Sequence, residues 1–194
     1  MKDLIQKKEI ILRHELAFAK EIGAAVFEKP RVSFWMVFIP ILFLYFIYRM
    51  QKFKSDRAKF DEEFMTTRRA AMDVALGAAA ADGMTEMDRT ARGSELPAPL
   101  QKPYLSWIKT LSSHYLELLT ADGDDFESLV RAAYRNRNNY LLVLDGLNTV
   151  EKEFYTALKP FLDSVEGTAD IIATIESQSR RLRSEMVDRI FCLT

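Results

Sequence analysis

An uncharged stretch of seventeen residues, from Val32 to Tyr48, constrains this chain more than any other part of it. As a helix it would be about 25 Å long, close to the roughly 30 Å thickness of a bilayer's hydrocarbon core. It is apolar on all sides, and a helix without a polar face belongs in lipid or in a large protein core. The 194-residue chain is otherwise mostly amphipathic and offers no core of that size. The sequence therefore predicts a transmembrane helix over residues 32–48.

The residues near both ends of this stretch are of the kinds that anchor helices at a membrane interface. Rings with a polar edge and basic side chains are favoured there. The predicted membrane-anchoring residues are Trp35, Pro40, Tyr45, Tyr48, Arg49, Lys52 and Lys54. Proline removes one helical hydrogen bond, which membrane helices tolerate, and it also permits a hairpin that enters and leaves lipid on one side. Two alternatives stay open: a hairpin or in-plane segment, and a buried helix of a soluble core.

The basic residues that flank the stretch determine its orientation only weakly. Within fifteen residues there are three on the N-terminal side and five on the C-terminal side, whereas within 31 residues the counts are seven and seven. Cytoplasmic flanks carry the excess of Lys and Arg. The single cysteine, Cys192, excludes an intrachain disulfide and favours a reducing compartment. We predict a single-pass membrane protein whose C-terminal domain is cytoplasmic.

The rest of the chain predicts an all-α protein, because apolar residues recur at helical spacing and glycine and proline are sparse. The predicted regions are an N-terminal amphipathic helix in 1–31, the transmembrane helix in 32–48, a juxtamembrane helix in 49–81, a proline-containing linker in 82–103 and a helical bundle in 104–194. The apolar stripe of the first helix either lies in the lipid interface or packs on another helix. Because acids and bases are mixed on its polar face, packing is favoured.

Several local patterns predict element boundaries in the bundle. Pro103 is typical of the first turn of a helix. The run 140–147 is short and apolar, which fits a helix or a strand, and its helical neighbours favour a helix. Asn148 and Glu151 have the spacing of a capping box, so a new helix is predicted to begin there. A last helix is predicted over 169–191, with an apolar stripe close to a 3.5-residue repeat.

Two groups of residues resemble metal ligands in type. His114 and Glu117 lie one helical turn apart, but bundles that bind metal in this way need a second such motif and two further carboxylates. We predict that this pair lies on an exposed polar face. The acidic turn that contains Asp122 and Asp125 lacks the alternating ligands of a calcium loop. Asp124 or Asp125 is instead predicted to be a helix N-cap.

Two groups of basic residues are candidates for contact with an anionic partner. The first consists of Arg180, Arg181 and Arg183. Acids are interleaved with these arginines, which predicts a solvated face. The second combines three arginines with two tyrosines: Arg131, Arg135, Arg137, Tyr134 and Tyr140. With 27 basic and 28 acidic residues, the net charge of −1 gives no indication of nucleic acid as a partner.

Sequence motifs for catalysis and for phosphate binding are absent, among them glycine-rich phosphate loops, CxxC, GxSxG and HExxH. We therefore predict a non-enzymatic protein without catalytic, cofactor-binding or metal-binding residues. It is expected to be a membrane-anchored scaffold that contacts lipid and binds a protein partner, or a second copy of itself, through its helical faces. Two alternatives stay open. One is an accessory single-pass subunit of a larger membrane complex, and the other is a helical metal-dependent enzyme built around His114 and Asp122.

Overall fold

The computed structural model describes residues 2–27, 56–80, 96–162 and 168–191. All regular elements in these ranges are α-helices, which confirms the prediction of an all-α protein. They are α1 (Lys2–Phe27), α2 (Asp56–Ala79), α3 (Ala98–Thr120), α4 (Phe126–Tyr134), α5 (Arg137–Leu162) and α6 (Thr168–Phe191). Within the described ranges, no helix combines the length and the apolar character needed to cross a bilayer. The predicted span over 32–48 and its anchoring residues, from Trp35 to Lys54, lie outside the described residues.

Helices α1 and α2 form an antiparallel pair. Near the start of α1, Lys8 Nζ lies 3.3 Å from Asp73 Oδ1, close to the end of α2. Near the end of α1, a Cβ added to Gly23 would lie only 2.8 Å from Cδ1 of Phe60, in the first turns of α2. Glycine is needed there because a side chain would push the helices apart. The prediction that the N-terminal helix packs on another helix is confirmed.

The remaining helices complete a bundle around this pair. Helix α2 packs on α3, α3 on α5, α5 on α6, and α6 packs back on α1. The short α4 fills the end between α3 and α5. Helices α5 and α6 are antiparallel, because Tyr140 contacts Met186 whereas Glu151 contacts Arg183. The end of α1 and the start of α2 lie at the same end of the bundle as the start of α6, because Val26, Phe60 and Ile171 belong to one apolar cluster.

The apolar core has two parts. The larger one surrounds α3 and includes Leu100, Ile108, Leu111, Tyr115 and Leu118. The smaller one, which we call the basal cluster, joins the end of α1 and the start of α2 to α6 through Phe18, Ile22, Val26, Phe60, Ile171, Ile175 and Leu182. The predicted last helix is confirmed, and its stripe of Ile172, Ile175, Leu182, Met186 and Ile190 is buried.

Helix α3 begins earlier than the sequence predicts. It starts at Ala98, so the prediction of a helix start at Pro103 is wrong. Pro99, rather than Pro103, occupies the first turn of the helix, and Leu96 and Leu100 beside it are buried against the core. The first part of the predicted linker, residues 82–95, lies outside the described residues.

Helix α5 is continuous from Arg137 to Leu162. This confirms the helical interpretation of 140–147 and shows that a new helix at Asn148 is wrong, since Asn148 and Glu151 lie in the middle of α5. The predicted N-cap at Asp125 is confirmed. Its Oδ1 accepts a hydrogen bond of 2.7 Å from the backbone N–H of Ser128, and the Asp125 N–H donates in return to Ser128 Oγ at 3.1 Å.

Candidate functional site

Four charged side chains from four different helices meet inside the bundle. They are Glu15 of α1, Arg68 of α2, Glu151 of α5 and Arg183 of α6, and all four are buried. We call this group the charged layer. Two carboxylates face two guanidinium groups, so the formal charges of the layer cancel. Charged residues are rarely buried unless they are paired in this way.

Arg68 and Glu151 hold the layer together. The Nε of Arg68 donates to Oε2 of Glu15 at 2.6 Å, and its Nη2 lies 3.8 Å from Oε1 of Glu151. On the other side, Arg183 donates to both carboxylate oxygens of Glu151 at 2.7 Å each. Such a two-pronged contact is the strongest geometry for this pair. Asn148 Oδ1 accepts a further hydrogen bond from Arg183.

Aromatic rings cover the faces of the two arginines. The guanidinium carbon of Arg68 lies 3.6 Å from the ring centroid of Phe64 and 5.8 Å from that of Phe18. The guanidinium carbon of Arg183 lies 5.5 Å from the same Phe18 ring. Attraction between a cation and a ring face replaces part of the hydration that these groups lose on burial.

Two members of the charged layer, Glu15 and Arg183, have pKa values shifted in favour of their charged forms despite burial. Loss of water would raise the pKa of Glu15, but the Arg68 charge and hydrogen bond, with His14, outweigh this and the pKa is lowered. Burial would likewise lower the pKa of Arg183, and Glu151 reverses the direction so that this pKa is raised. Each charge is thus stabilised by its partner, which makes the loss of any one partner costly.

His114 lies next to the layer and is buried, so the prediction of an exposed face for it is wrong, although Glu117 is exposed. Its Nδ1 lies 2.6 Å from the Tyr134 hydroxyl. Burial raises the pKa of Tyr134, so this hydroxyl keeps its proton and forms a hydrogen bond with Nδ1. Burial, opposed by Glu15, lowers the pKa of His114 from 6.5 to about 4. The imidazole is therefore neutral at pH 7.

His14, on α1, is the second histidine near the charged layer. Its ring lies flat on Phe126, with centroids 3.6 Å apart and 1° between the planes. Burial lowers its pKa, with Glu15 acting in the opposite direction. Within the described ranges, no group of three His, Cys, Asp or Glu side chains is placed to hold a metal ion. His114 and Asp122 are not brought together, since Asp122 lies in the exposed turn before α4.

A small cavity separates the two histidines from the charged layer. Its volume is about 20 Å³, and His14, Glu15, Arg68, His114, Tyr140 and Arg183 are among its lining residues. A polar cavity of this size holds about one water molecule. The ion pairs of the charged layer connect α1, α2, α5 and α6 beside this cavity.

The two predicted basic groups do not form open patches. Arg180 and Arg181 are exposed, but the solvated position predicted for Arg183 is wrong because it belongs to the charged layer. In the second group, Arg131 donates to Glu127 and Arg137 donates to Asp188. Its two tyrosines, Tyr134 and Tyr140, are buried.

An open groove of about 730 Å³ lies on the outside of α5 and α6. Its lining residues carry charges of both signs, and they are Asp145, Asn148, Thr149, Lys152, Glu153, Thr156, Ala157 and Arg180. Asn148 connects the groove to the charged layer through Arg183. Leu142, on α5 one turn before Asp145, exposes 71% of its surface.

No protein-family model matches this chain, and neither does any curated protein or any solved structure. Its function is therefore inferred from its own residues and contacts.

Proposed function

We propose that the protein is a membrane-anchored helical scaffold that holds a protein partner at a lipid bilayer. The observation that carries this proposal is the uncharged stretch 32–48, which separates two helices of a bundle that has its own core. Each CH₂ group moved from water into an apolar medium contributes about 0.8 kcal/mol, so a long aromatic-rich stretch favours lipid strongly. Basic residues on both sides of the stretch are attracted to anionic headgroups.

The groove on α5 and α6 is the proposed partner surface. Both Lys152 and Arg180 line it beside acidic residues, so a protein surface with charges of both signs fits it best. Such complementarity gives specificity and association rate more than affinity. The exposed side chain of Leu142 supplies an apolar anchor at the edge of the groove, of the kind that concentrates binding energy in protein interfaces.

Membrane flotation and co-purification test this function. The full chain should float with membranes after a carbonate wash, and a protein partner should co-purify with it in mild detergent. The double variant K152E/R180E should lose the partner and still float. The matched variant K102E/K109E, which reverses two exposed charges on α3, should keep both.

Different results would count against the proposal or narrow it. A chain that stays in the supernatant would overturn the membrane anchor, and one that floats alone or as a homodimer would overturn the partner role. A fixed-stoichiometry assembly of several membrane subunits would instead identify the protein as an accessory subunit.

A further inference from the structure

Helix α1 precedes the uncharged stretch and α2 follows it, yet the two helices pack together. A chain that crossed the bilayer once between them would leave α1 and α2 separated by roughly 30 Å of hydrocarbon. We propose that α1 and the rest of the bundle lie on the same face of the membrane, and that 32–48 enters lipid from that face without carrying the chain across. This inference rests on the proposed membrane anchor and corrects its single-pass topology.

The pairing of α1 with α2 extends over most of both helices. It includes Lys8 with Asp73 near one end, Glu15 with Arg68 in the middle, and the close approach of Gly23 to Phe60 near the other end. Separation of α1 would remove Glu15, the closest ion-pair partner of the buried Arg68, and leave the charged layer with one positive charge in excess. It would also expose the basal cluster, to which α1 contributes Phe18, Ile22 and Val26. A single crossing therefore requires the bundle to come apart.

The antiparallel pairing places the end of α1 and the start of α2 at one end of the bundle, and a group of basic residues adjoins each of these two helix ends in the sequence. Lys29 and Arg31 follow the end of α1 by two and four residues, and Lys54 and Lys52 precede the start of α2 by two and four. A membrane face at this end of the bundle would attract both groups through its anionic headgroups.

The numbers of basic residues on the two sides of the stretch are compatible with this arrangement. A crossing chain is expected to carry more Lys and Arg on its cytoplasmic flank. Counts of three and five within fifteen residues, and of seven and seven within 31, give neither flank a large excess. Pro40 lies at the midpoint, with eight apolar or uncharged residues before it and eight after it. Eight residues at helical rise measure about 12 Å, which fits within one leaflet of about 15 Å.

The described surface near this end also carries an exposed aromatic side chain. Tyr155 of α5 packs against the basal cluster, and Phe161 lies less than two turns further along α5 in the direction of that end. Phe161 exposes 38% of its surface. An apolar ring at the end where α1 and α2 meet the uncharged stretch is suited to contact with lipid.

Cysteine accessibility tests the inference in the full chain. Cys192 is replaced by serine, and one cysteine is placed at exposed Glu21 of α1 or at exposed Lys109 of α3. A membrane-impermeant maleimide is applied to intact cells and then to permeabilised cells. Leu111→Cys, a buried position, should react only after denaturation and so reports that the bundle is folded.

We expect E21C and K109C to respond alike, both protected in intact cells and both labelled after permeabilisation, in protein that floats with membranes. Two sites labelled alike from outside would also support a common face, with the bundle on the other side of the membrane. Opposite labelling of E21C and K109C in floating protein would overturn this inference and leave the anchor intact. Failure to float would overturn the proposed function, and the inference with it.

Discussion

The charged layer and the basal cluster join α1, α2 and α6 by different means. In the basal cluster, apolar side chains such as Ile22, Phe60 and Ile175 make contacts without direction, and their stabilisation follows buried area. In the charged layer, Arg68 has to meet Glu15 and Glu151 at fixed distances and angles. The basal cluster therefore favours association of the helices, whereas the charged layer selects the register in which they associate.

The two regions also differ in how they respond to damage. Burial of an ion pair costs desolvation energy that the attraction between the partners only roughly repays, so a complete pair adds little net stability. Removal of one partner leaves a buried charge without compensation. In the basal cluster no buried charge is left uncompensated, because a truncated apolar side chain loses only its own contacts and leaves a cavity.

The largest expected effect is that of Arg68→Met. This change leaves Glu15 without its main partner and removes a bridge to Glu151, so we expect a loss of about 3–5 kcal/mol in the free energy of unfolding. Urea denaturation of the full chain in detergent measures it. The matched control is Arg69→Met, which removes an exposed ion pair with Glu62 and should cost no more than about 0.5 kcal/mol. Equal losses in the two variants would contradict the role of the layer.

The second effect is a loss of stability in acid. The pKa of His114 is about 4 in the folded protein and 6.5 by default, so the unfolded chain takes up the proton first as the pH falls. Stability is therefore complete above about pH 6.5 and is lost towards pH 4, by roughly 3 kcal/mol in all. His114→Asn retains an acceptor for Tyr134 and should lack most of this dependence. Parallel pH profiles of the two proteins, from urea denaturation, would show that His114 is not its source.

The smallest expected effect belongs to the basal cluster. Ile175→Val removes one methyl group from the apolar contacts of the basal cluster, and we expect a loss of about 1 kcal/mol in the free energy of unfolding. Its size should be the same at pH 7.5 and pH 5. A pH-dependent loss would mean that the basal cluster and the charged layer do not behave as separate regions.

The helices and the apolar stripes follow from sequence periodicity, and so does the N-cap at Asp125. The charged layer does not, because a charge is read as a surface residue by default. A signal was present nevertheless. Glu15 continues the buried series Ile11, Phe18 and Ile22 at spacings of three and four residues, and Glu151 similarly continues Leu144, Leu147, Phe154 and Leu158. A charged residue at an inward position of a stripe predicts a buried partner of opposite sign.

The ion-pair partner of each buried charge could not be identified from the sequence. Glu15 and Arg68 are 53 residues apart, with the uncharged stretch between them. From its length, the uncharged stretch is predicted to be a helix that crosses the membrane, which would place Glu15 and Arg68 on opposite sides. Only the three-dimensional pairing of α1 with α2 shows that they meet. The boundary of α3 and the continuity of α5 are likewise decided by burial of Leu100 and Glu151 rather than by local preference.

The most direct test of this account is intramolecular crosslinking of α1 to α2 in native membranes. In a Cys192→Ser background, K8C and D73C replace side chains that lie 3.3 Å apart, whereas K8C and E62C combine positions about three helical turns out of register. A short bismaleimide should link the first pair within one chain and should not link the second. Absence of the K8C–D73C link in membrane-bound protein, or a link only between two chains, would contradict the shared face of α1 and α2.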